Sequence, residues 1–189
     1  MEKETSEEKQ PIDRKKLGKR NKNLGSSIER LYVNFFKGLH PTKYSKAMTT
    51  RLGSRLLDNC KVDIMNLPIN IQVKAGSQEK MSPGKELFLM RSMLNDAFDE
   101  SDSILTKSCI LIHHKVHPIN SGKVRTPEMS LVYMSEIQFL KYKNTLPKIE
   151  YDTLKKFRFN PKSEFSLMVC MTFDYYIENI FKPTYLKNE

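Results

Sequence analysis

The sequence predicts an α/β protein whose mixed central sheet is flanked by helices. Residues 62–74 read as two short strands joined at Leu67–Pro68, and residues 109–112 form a continuous apolar run that is typical of a buried strand. Residues 26–39 instead repeat apolar side chains at helical spacing. We therefore expect the order helix, hairpin, helix, strand, strand, helix, which indicates a layered α/β domain.

The first predicted helix begins near Ser26 or Ser27 and ends at about Gly38, a residue that commonly stops helices. Glu29 borders its apolar stripe, and two roles for this residue are open. Ser26-x-x-Glu29 matches a capping box, in which the glutamate side chain reaches back to the N–H group of the cap. Alternatively, Glu29 points along the edge of the sheet towards Asp63.

The hairpin at residues 62–74 has an apolar face and a polar face. Residues 69, 71 and 73 are apolar and alternate with Asn70, Gln72 and Lys74. If Leu67 and Pro68 form the loop, Asp63 lies directly opposite Gln72, and directly opposed side chains share a face. We therefore expect Asp63, Gln72 and Lys74 to project together from the polar face.

These three side chains form a combination that suits metal-assisted hydrolysis of a phosphodiester. A carboxylate and an amide oxygen are hard ligands of the kind that Mg²⁺ prefers. The ammonium of Lys74 can hold a water molecule or a phosphate oxygen as a point charge. The alternative is an ordinary amphipathic hairpin whose polar face is solvated.

The later helices and strands are predicted from residues that commonly begin helices and from the spacing of apolar side chains. Ser82-Pro83 predicts the start of a helix with a buried stripe that includes Leu87 and Leu94. Residues 129–134 predict another strand, and Ser135 is expected to cap the helix after it. A last helix is predicted from Ser163 to about Phe181. Its broad apolar arc either packs on the core or forms a homodimer interface.

The composition favours a polyanionic partner. The chain has 189 residues and a formal net charge of +10, which suits neutralisation of nucleic-acid phosphates. We find no apolar segment long enough to span a membrane and no secretory signal pattern. Cys60, Cys109 and Cys170 lack paired spacing and are expected to be reduced thiols in a cytoplasmic protein.

Cations are concentrated in two stretches that are candidates for contact with the nucleic-acid backbone. Residues 1–24 are poor in apolar side chains and predict a flexible charged arm, or alternatively a solubilising tail. Residues 43–55 predict a basic loop or short helix near the hairpin, or alternatively a solvated surface. The candidate cations are Lys19, Arg20, Lys22, Lys43, Lys46, Arg51 and Arg55.

The hairpin also resembles the core motif of the PD-(D/E)xK nucleases, in which an aspartate precedes a strand that ends in an acidic residue, one variable residue and a lysine. The phrase Leu-Pro-Ile-Asn-Ile-Gln-Val-Lys is most similar to phage and archaeal Holliday-junction-resolvase-like members. Two departures are visible: Val62 replaces the proline of the motif, and Gln72 replaces the usual acidic residue, which removes one metal-binding charge.

The resemblance implies a restriction-endonuclease-like core over residues 25–146, with a connector and C-terminal helix at residues 147–189. It implies a Mg²⁺-dependent endodeoxyribonuclease, with Mn²⁺ as a substitute, in which Asp63, Gln72 and Glu29 bind the metal and Lys74 orients water. A phage-encoded enzyme would work in the cytoplasm of a bacterial host. Two rivals are open: a non-catalytic DNA-binding module, and an assembly protein that uses its C-terminal helix.

Overall fold

The computed structural model describes residues 14–76, 82–114, 126–127, 130–145, 155–158 and 167–186. It contains a mixed seven-stranded sheet with helices on both faces, as the sequence predicts. In chain order the elements are α1 (Arg14–Leu39), β1 (Met48–Thr49), α2 (Thr50–Gly53), α3 (Arg55–Asn59), β2 (Ile64–Met65), β3 (Ile69–Ala75), α4 (Pro83–Ala97), α5 (Ser103–Thr106), β4 (Ser108–His114), β5 (Ser130–Ser135), α6 (Glu136–Thr145), β6 (Lys155–Arg158), β7 (Leu167–Thr172), α7 (Phe173–Tyr176), a π-helical turn (Ile177–Phe181) and α8 (Lys182–Tyr185).

The sheet is built around two parallel central strands. Its order is β1-β2-β3-β4-β5-β7-β6, and β3 pairs parallel with β4 from Ile69↔Ser108 to Ala75↔His114. The other neighbouring pairs are antiparallel. Because the carboxyl ends of β3 and β4 lie side by side, Lys74 and His113 stand at the same end of the sheet.

Each face of the sheet is covered by its own hydrophobic cluster. On one face, Ile28 and Tyr32 of α1 pack with Ile71 of β3 and with Phe173 of α7. On the other face, three residues of α4 pack against β4 and β5; they are Leu87, Met90 and Leu94. Burying a large apolar side chain contributes about 1.5–3 kcal/mol, so these two layers account for the position of α1 and α4.

The helix α1 ends at Leu39, close to the predicted stop, but it begins well before Ser26. Residues 14–24 are therefore helical, whereas they were predicted to belong to a flexible arm; residues 1–13 lie outside the described part. The capping-box interpretation is wrong, because Ser26 and Glu29 lie inside the helix. Apolar periodicity starts only where α1 reaches the sheet, and the preceding lysines, arginines and leucine are good helix formers.

The hairpin has the predicted register, because Ile64 lies opposite Ile71. The predicted alternation of its first strand breaks at Asp63, however. Val62 packs in the cluster around α4, whereas Ile64 packs in the cluster around α1. The alternative of a solvated polar face does not hold at Asn70 and Gln72 of β3, which are each only 1% exposed.

The C-terminal segment adds strands to the sheet as well as a helix. The helix predicted from Ser163 is wrong over Leu167–Thr172, which forms β7 and pairs antiparallel with β5. An apolar run buried on both faces has no strand periodicity, so it cannot be told from a buried helix by pattern alone. From Phe173 onwards the chain is helical, and its apolar arc packs on the core through residues such as Tyr176 and Phe181.

The remaining predicted starts are confirmed. Pro83 is the first residue of α4, and Ser135 Oγ accepts a hydrogen bond from Gln138 N at the start of α6 at 3.3 Å. The three cysteines are buried free thiols. Across the described ranges, no helix is long and apolar enough to cross a membrane.

Candidate active site

Asp63 directly precedes β2, and hydrogen bonds hold both its backbone and its side chain in place. Its N–H donates to Ile71 O at 2.7 Å, and its carbonyl oxygen accepts from Thr50 N at 3.0 Å. Its carboxylate oxygen Oδ2 accepts from Val73 N at 2.6 Å. The carboxylate is therefore held against the backbone of β3, one residue before Lys74.

Burial and charge together raise the pKa of Asp63 to about 7. Desolvation is the largest cause, and the hydrogen bond from Val73 N opposes it. Glu29 raises the pKa further by its negative charge, whereas Lys74 and Arg51 lower it. Asp63 is thus in electrostatic contact with two of the residues that the resemblance assigns to the site, Glu29 and Lys74.

Glu86 joins the polar residues of β3. Its Oε2 lies 3.1 Å from Lys74 Nζ and accepts a hydrogen bond from Gln72 Nε2 at 3.2 Å. Sequence reasoning missed this residue. The available signal was its place in the first turn of α4, the helix that follows the hairpin and covers the polar side of β3.

Gln72 has one buried polar atom without a partner. Its Oε1 makes no hydrogen bond within the described part of the chain. Exchanging the amide oxygen and nitrogen would bring Oε1 against the Glu86 carboxylate, where two acceptors would meet, so the orientation is set by Glu86. An unsatisfied buried acceptor costs about 1–3 kcal/mol, and a cation or a water molecule beside it would remove that penalty.

Glu29 is buried, with 3% exposure, and forms an ion pair with Arg51. Arg51 Nη2 lies 2.8 Å from Glu29 Oε1, and Arg51 Nη1 donates to Ser26 Oγ at 3.0 Å. The same guanidinium lies 3.8 Å from Asp58 Oδ1. Burial raises the pKa of Glu29, and the positive charge of Arg51 opposes that rise. Arg51, predicted to contact nucleic acid, here neutralises carboxylates.

The other predicted cations are arranged around this region as exposed side chains. Lys22, Lys43, Lys46 and Arg55 are all exposed. Lys19 and Arg20 belong to α1, but their side chains lie outside the described part.

The donor set fits Mg²⁺ better as a shared site than as a closed protein cage. Across the described residues, no group of three or more His, Cys, Asp or Glu side chains is arranged to hold a metal ion. Mg²⁺ usually takes one or two carboxylates and completes its shell with water and substrate phosphates. Asp63 offers one carboxylate and Gln72 an amide oxygen without a partner among the described residues, whereas Glu29 is engaged by Arg51.

Comparisons of this chain with protein-family models, with curated proteins and with solved structures find no match. The function is therefore argued from the geometry of this site and from the charge of the chain.

Proposed function

We propose that this protein is a Mg²⁺-dependent endodeoxyribonuclease with a restriction-endonuclease-like core, acting on branched DNA of the Holliday-junction type. The observation that supports the proposal is that Glu86 contacts both Lys74 and Gln72, while Lys74 acts electrostatically on Asp63. A partly buried carboxylate, an amide oxygen without a partner among the described residues and an ammonium held by a second carboxylate are groups that can assist hydrolysis of a phosphodiester.

Asp63 and Gln72 are the residues that would hold Mg²⁺, which when bound supplies a Lewis acid that neutralises charge on the phosphate. Lys74 orients the attacking water and stabilises the negative charge that develops on the phosphate oxygens. Glu86 positions Lys74, since its Oε2 contacts both Lys74 Nζ and Gln72 Nε2.

The contact between Glu86 and Gln72 accounts for the departure at Gln72. The resemblance implies an acidic residue at this position of the strand, and glutamine removes its charge. Glu86 restores a carboxylate from α4 within hydrogen-bond distance of Gln72. The number of negative charges around Lys74 therefore matches that of an acidic residue on β3, although the charge comes from a helix.

DNA affinity in this proposal comes from a different set of residues. The net charge of +10 and the exposed cations Lys22, Lys43, Lys46 and Arg55 supply phosphate contacts spread over the surface. Affinity and chemistry are thus separable, and variants in one set should leave the other intact.

The test is a cleavage screen on four-way junctions, flaps, linear duplexes and single strands, each with Mg²⁺, Mn²⁺ or EDTA. We expect cleavage of branched DNA with either metal and none in EDTA. Lys74→Ala should abolish cleavage, whereas the matched control Lys85→Ala, an exposed lysine of α4, should not.

A non-catalytic DNA-binding module is the second candidate. It is favoured by the engagement of Glu29 with Arg51 and by the lack of a three-ligand acidic group among the described residues. Tight DNA binding together with no cleavage of any substrate, in either metal, would select this candidate over the nuclease.

A further inference from the structure

A cleft lies at the opposite end of the central strands from Lys74. Ser108 begins β4 and pairs with Ile69 at the start of β3. Lys74 is five residues further along β3, which corresponds to about 16 Å. A cleft of about 690 Å³ opens here between the second half of α4, α5 and the start of α6.

The cleft is positively charged. Three of its lining residues are cations, Arg91, Lys107 and Lys141, and one is an acid, Glu100. Arg91 is held in place because its Nη1 donates to Leu105 O. That bond uses one of the five N–H donors of the guanidinium, whose planar fork matches the geometry of phosphate oxygens.

The first turn of α6 forms part of the wall of the same cleft. This ten-residue helix begins at Glu136, and its N-terminal end carries a partial positive charge that favours anions. Gln138 on that turn accepts from Cys109 N through Oε1 at 3.3 Å, which fixes the orientation of the amide. Its Nε2 is buried and has no partner among the described residues.

The size and the apolar wall of the cleft indicate more than an inorganic anion. Small-molecule sites usually measure about 300–1,000 Å³, and the volume here is well above what one phosphate fills. Ile137 lines the cleft and is 53% exposed. It offers a surface that an organic group would cover.

We propose that this cleft binds a small phosphate-bearing organic anion of mononucleotide size. Its phosphate lies among Arg91, Lys107 and Lys141, near the start of α6, and its organic part lies against Ile137. The cleft shares no residue with the candidate active site, so this binding activity stands independently of the proposed nuclease.

The experiment is calorimetric titration of the full chain with adenosine monophosphate, inorganic phosphate and adenosine, with amide NMR shifts recorded in parallel. We expect one saturable site for the nucleotide, weaker binding of phosphate and none of adenosine. The largest shifts should fall on Ser108 and Gln138. Lys107→Glu should weaken nucleotide binding about tenfold or more, because it replaces an attractive charge with a repulsive one.

Two controls separate this cleft from other phosphate contacts. Lys85→Glu makes the same change of charge at an exposed residue of α4 that lies outside the cleft, and it should leave the affinity for the nucleotide unchanged. Asp63→Asn should also bind the nucleotide as wild type does, even if it has lost any nuclease activity. A single-stranded oligonucleotide that displaces the nucleotide and binds more tightly would identify the ligand as nucleic-acid backbone and overturn the proposal of a small ligand.

The proposal is overturned if no saturable nucleotide binding occurs up to millimolar concentration, or if Lys85→Glu weakens binding as much as Lys107→Glu does. Should Lys107→Glu fail to fold, Lys107→Gln removes the charge without reversing it. The amide NMR shifts of the wild-type chain are an independent test. Shifts confined to residues outside the cleft would contradict nucleotide binding in the cleft.

Discussion

The carboxyl group of Asp63 has a pKa far above the usual range of an aspartate. Its pKa is raised from the usual 3.8 to about 7, chiefly by burial. Between these two pH values the folded chain binds the proton more tightly than the unfolded chain does. The free energy of unfolding therefore falls as pH rises from about 4 to about 7. The ionised form that could hold a cation is thus obtained at the expense of stability.

Asp63→Asn should remove this pH dependence, because the amide does not titrate and its oxygen can still accept from Val73 N. We expect the variant to match wild type near pH 4 and to be more stable at pH 8. For a chain of this size each kcal/mol shifts the melting temperature by about 2–4 °C. Melting curves at both pH values measure the effect, with Asp174→Asn, an exposed aspartate, as the control. A variant less stable than wild type at pH 8 would contradict the assignment.

The hydrogen bond between Gln72 and Glu86 joins strand β3 to helix α4. Gln72→Glu should place two carboxylates within hydrogen-bond distance of each other, and Glu86→Gln should deprive Lys74 of its ion pair. The double variant Gln72→Glu/Glu86→Gln exchanges carboxylate and amide, so it keeps one negative charge at this pair and a hydrogen bond between positions 72 and 86. We expect its melting temperature and cleavage rate to lie closer to wild type than those of either single variant.

A double-mutant cycle makes this expectation quantitative. Residues in contact show coupling of about 0.5–3 kcal/mol, whereas distant pairs add independently. Gln72→Glu combined with Asp174→Asn should therefore be additive within about 0.5 kcal/mol. Additivity in the Gln72/Glu86 pair would mean that the two side chains do not act as a unit.

The elements that the sequence predicts well are those with a visible period or start. The register of the hairpin follows from alternation about Leu67–Pro68, and α4 follows from Ser82-Pro83. Strand β7 was not predicted because both of its faces are buried, so its apolar and polar residues do not alternate. The start of α1 was not predicted because residues 14–23 carry no apolar repeat at helical spacing.

Some residues of the candidate site can also be predicted from local sequence patterns, and others cannot. Asp63 and Lys74 are found by local spacing, since they belong to one hairpin. Glu86 and the partner of Glu29 are not, because they depend on how α4 and α2 pack against that hairpin. Long-range packing of charged side chains leaves no periodic trace in the sequence.

The whole molecule carries a net charge of +10, and this charge governs the predicted affinity for DNA. Each lost phosphate contact should lower the slope of log affinity against log salt by about 1. Lys43→Ala and Lys46→Ala, on the turn between α1 and β1, should each do so without a change in cleavage at saturating DNA. The measurement is fluorescence anisotropy from about 50 to 200 mM salt, with Lys85→Ala as the control. Unchanged slopes would place the DNA contacts elsewhere.

In the proposed function, Asp63 supports metal-dependent chemistry and contributes little to DNA affinity. The most direct measurement is the single-turnover cleavage rate of a four-way junction by wild type, Asp63→Ala and Asp174→Asn, with protein saturating and Mg²⁺ present. We predict that Asp63→Ala lowers the rate by about 10²–10³-fold or more while its DNA affinity stays within a few fold. Asp174→Asn should cleave as wild type does. Equal cleavage rates for Asp63→Ala and wild type would contradict a role of Asp63 in metal-dependent cleavage.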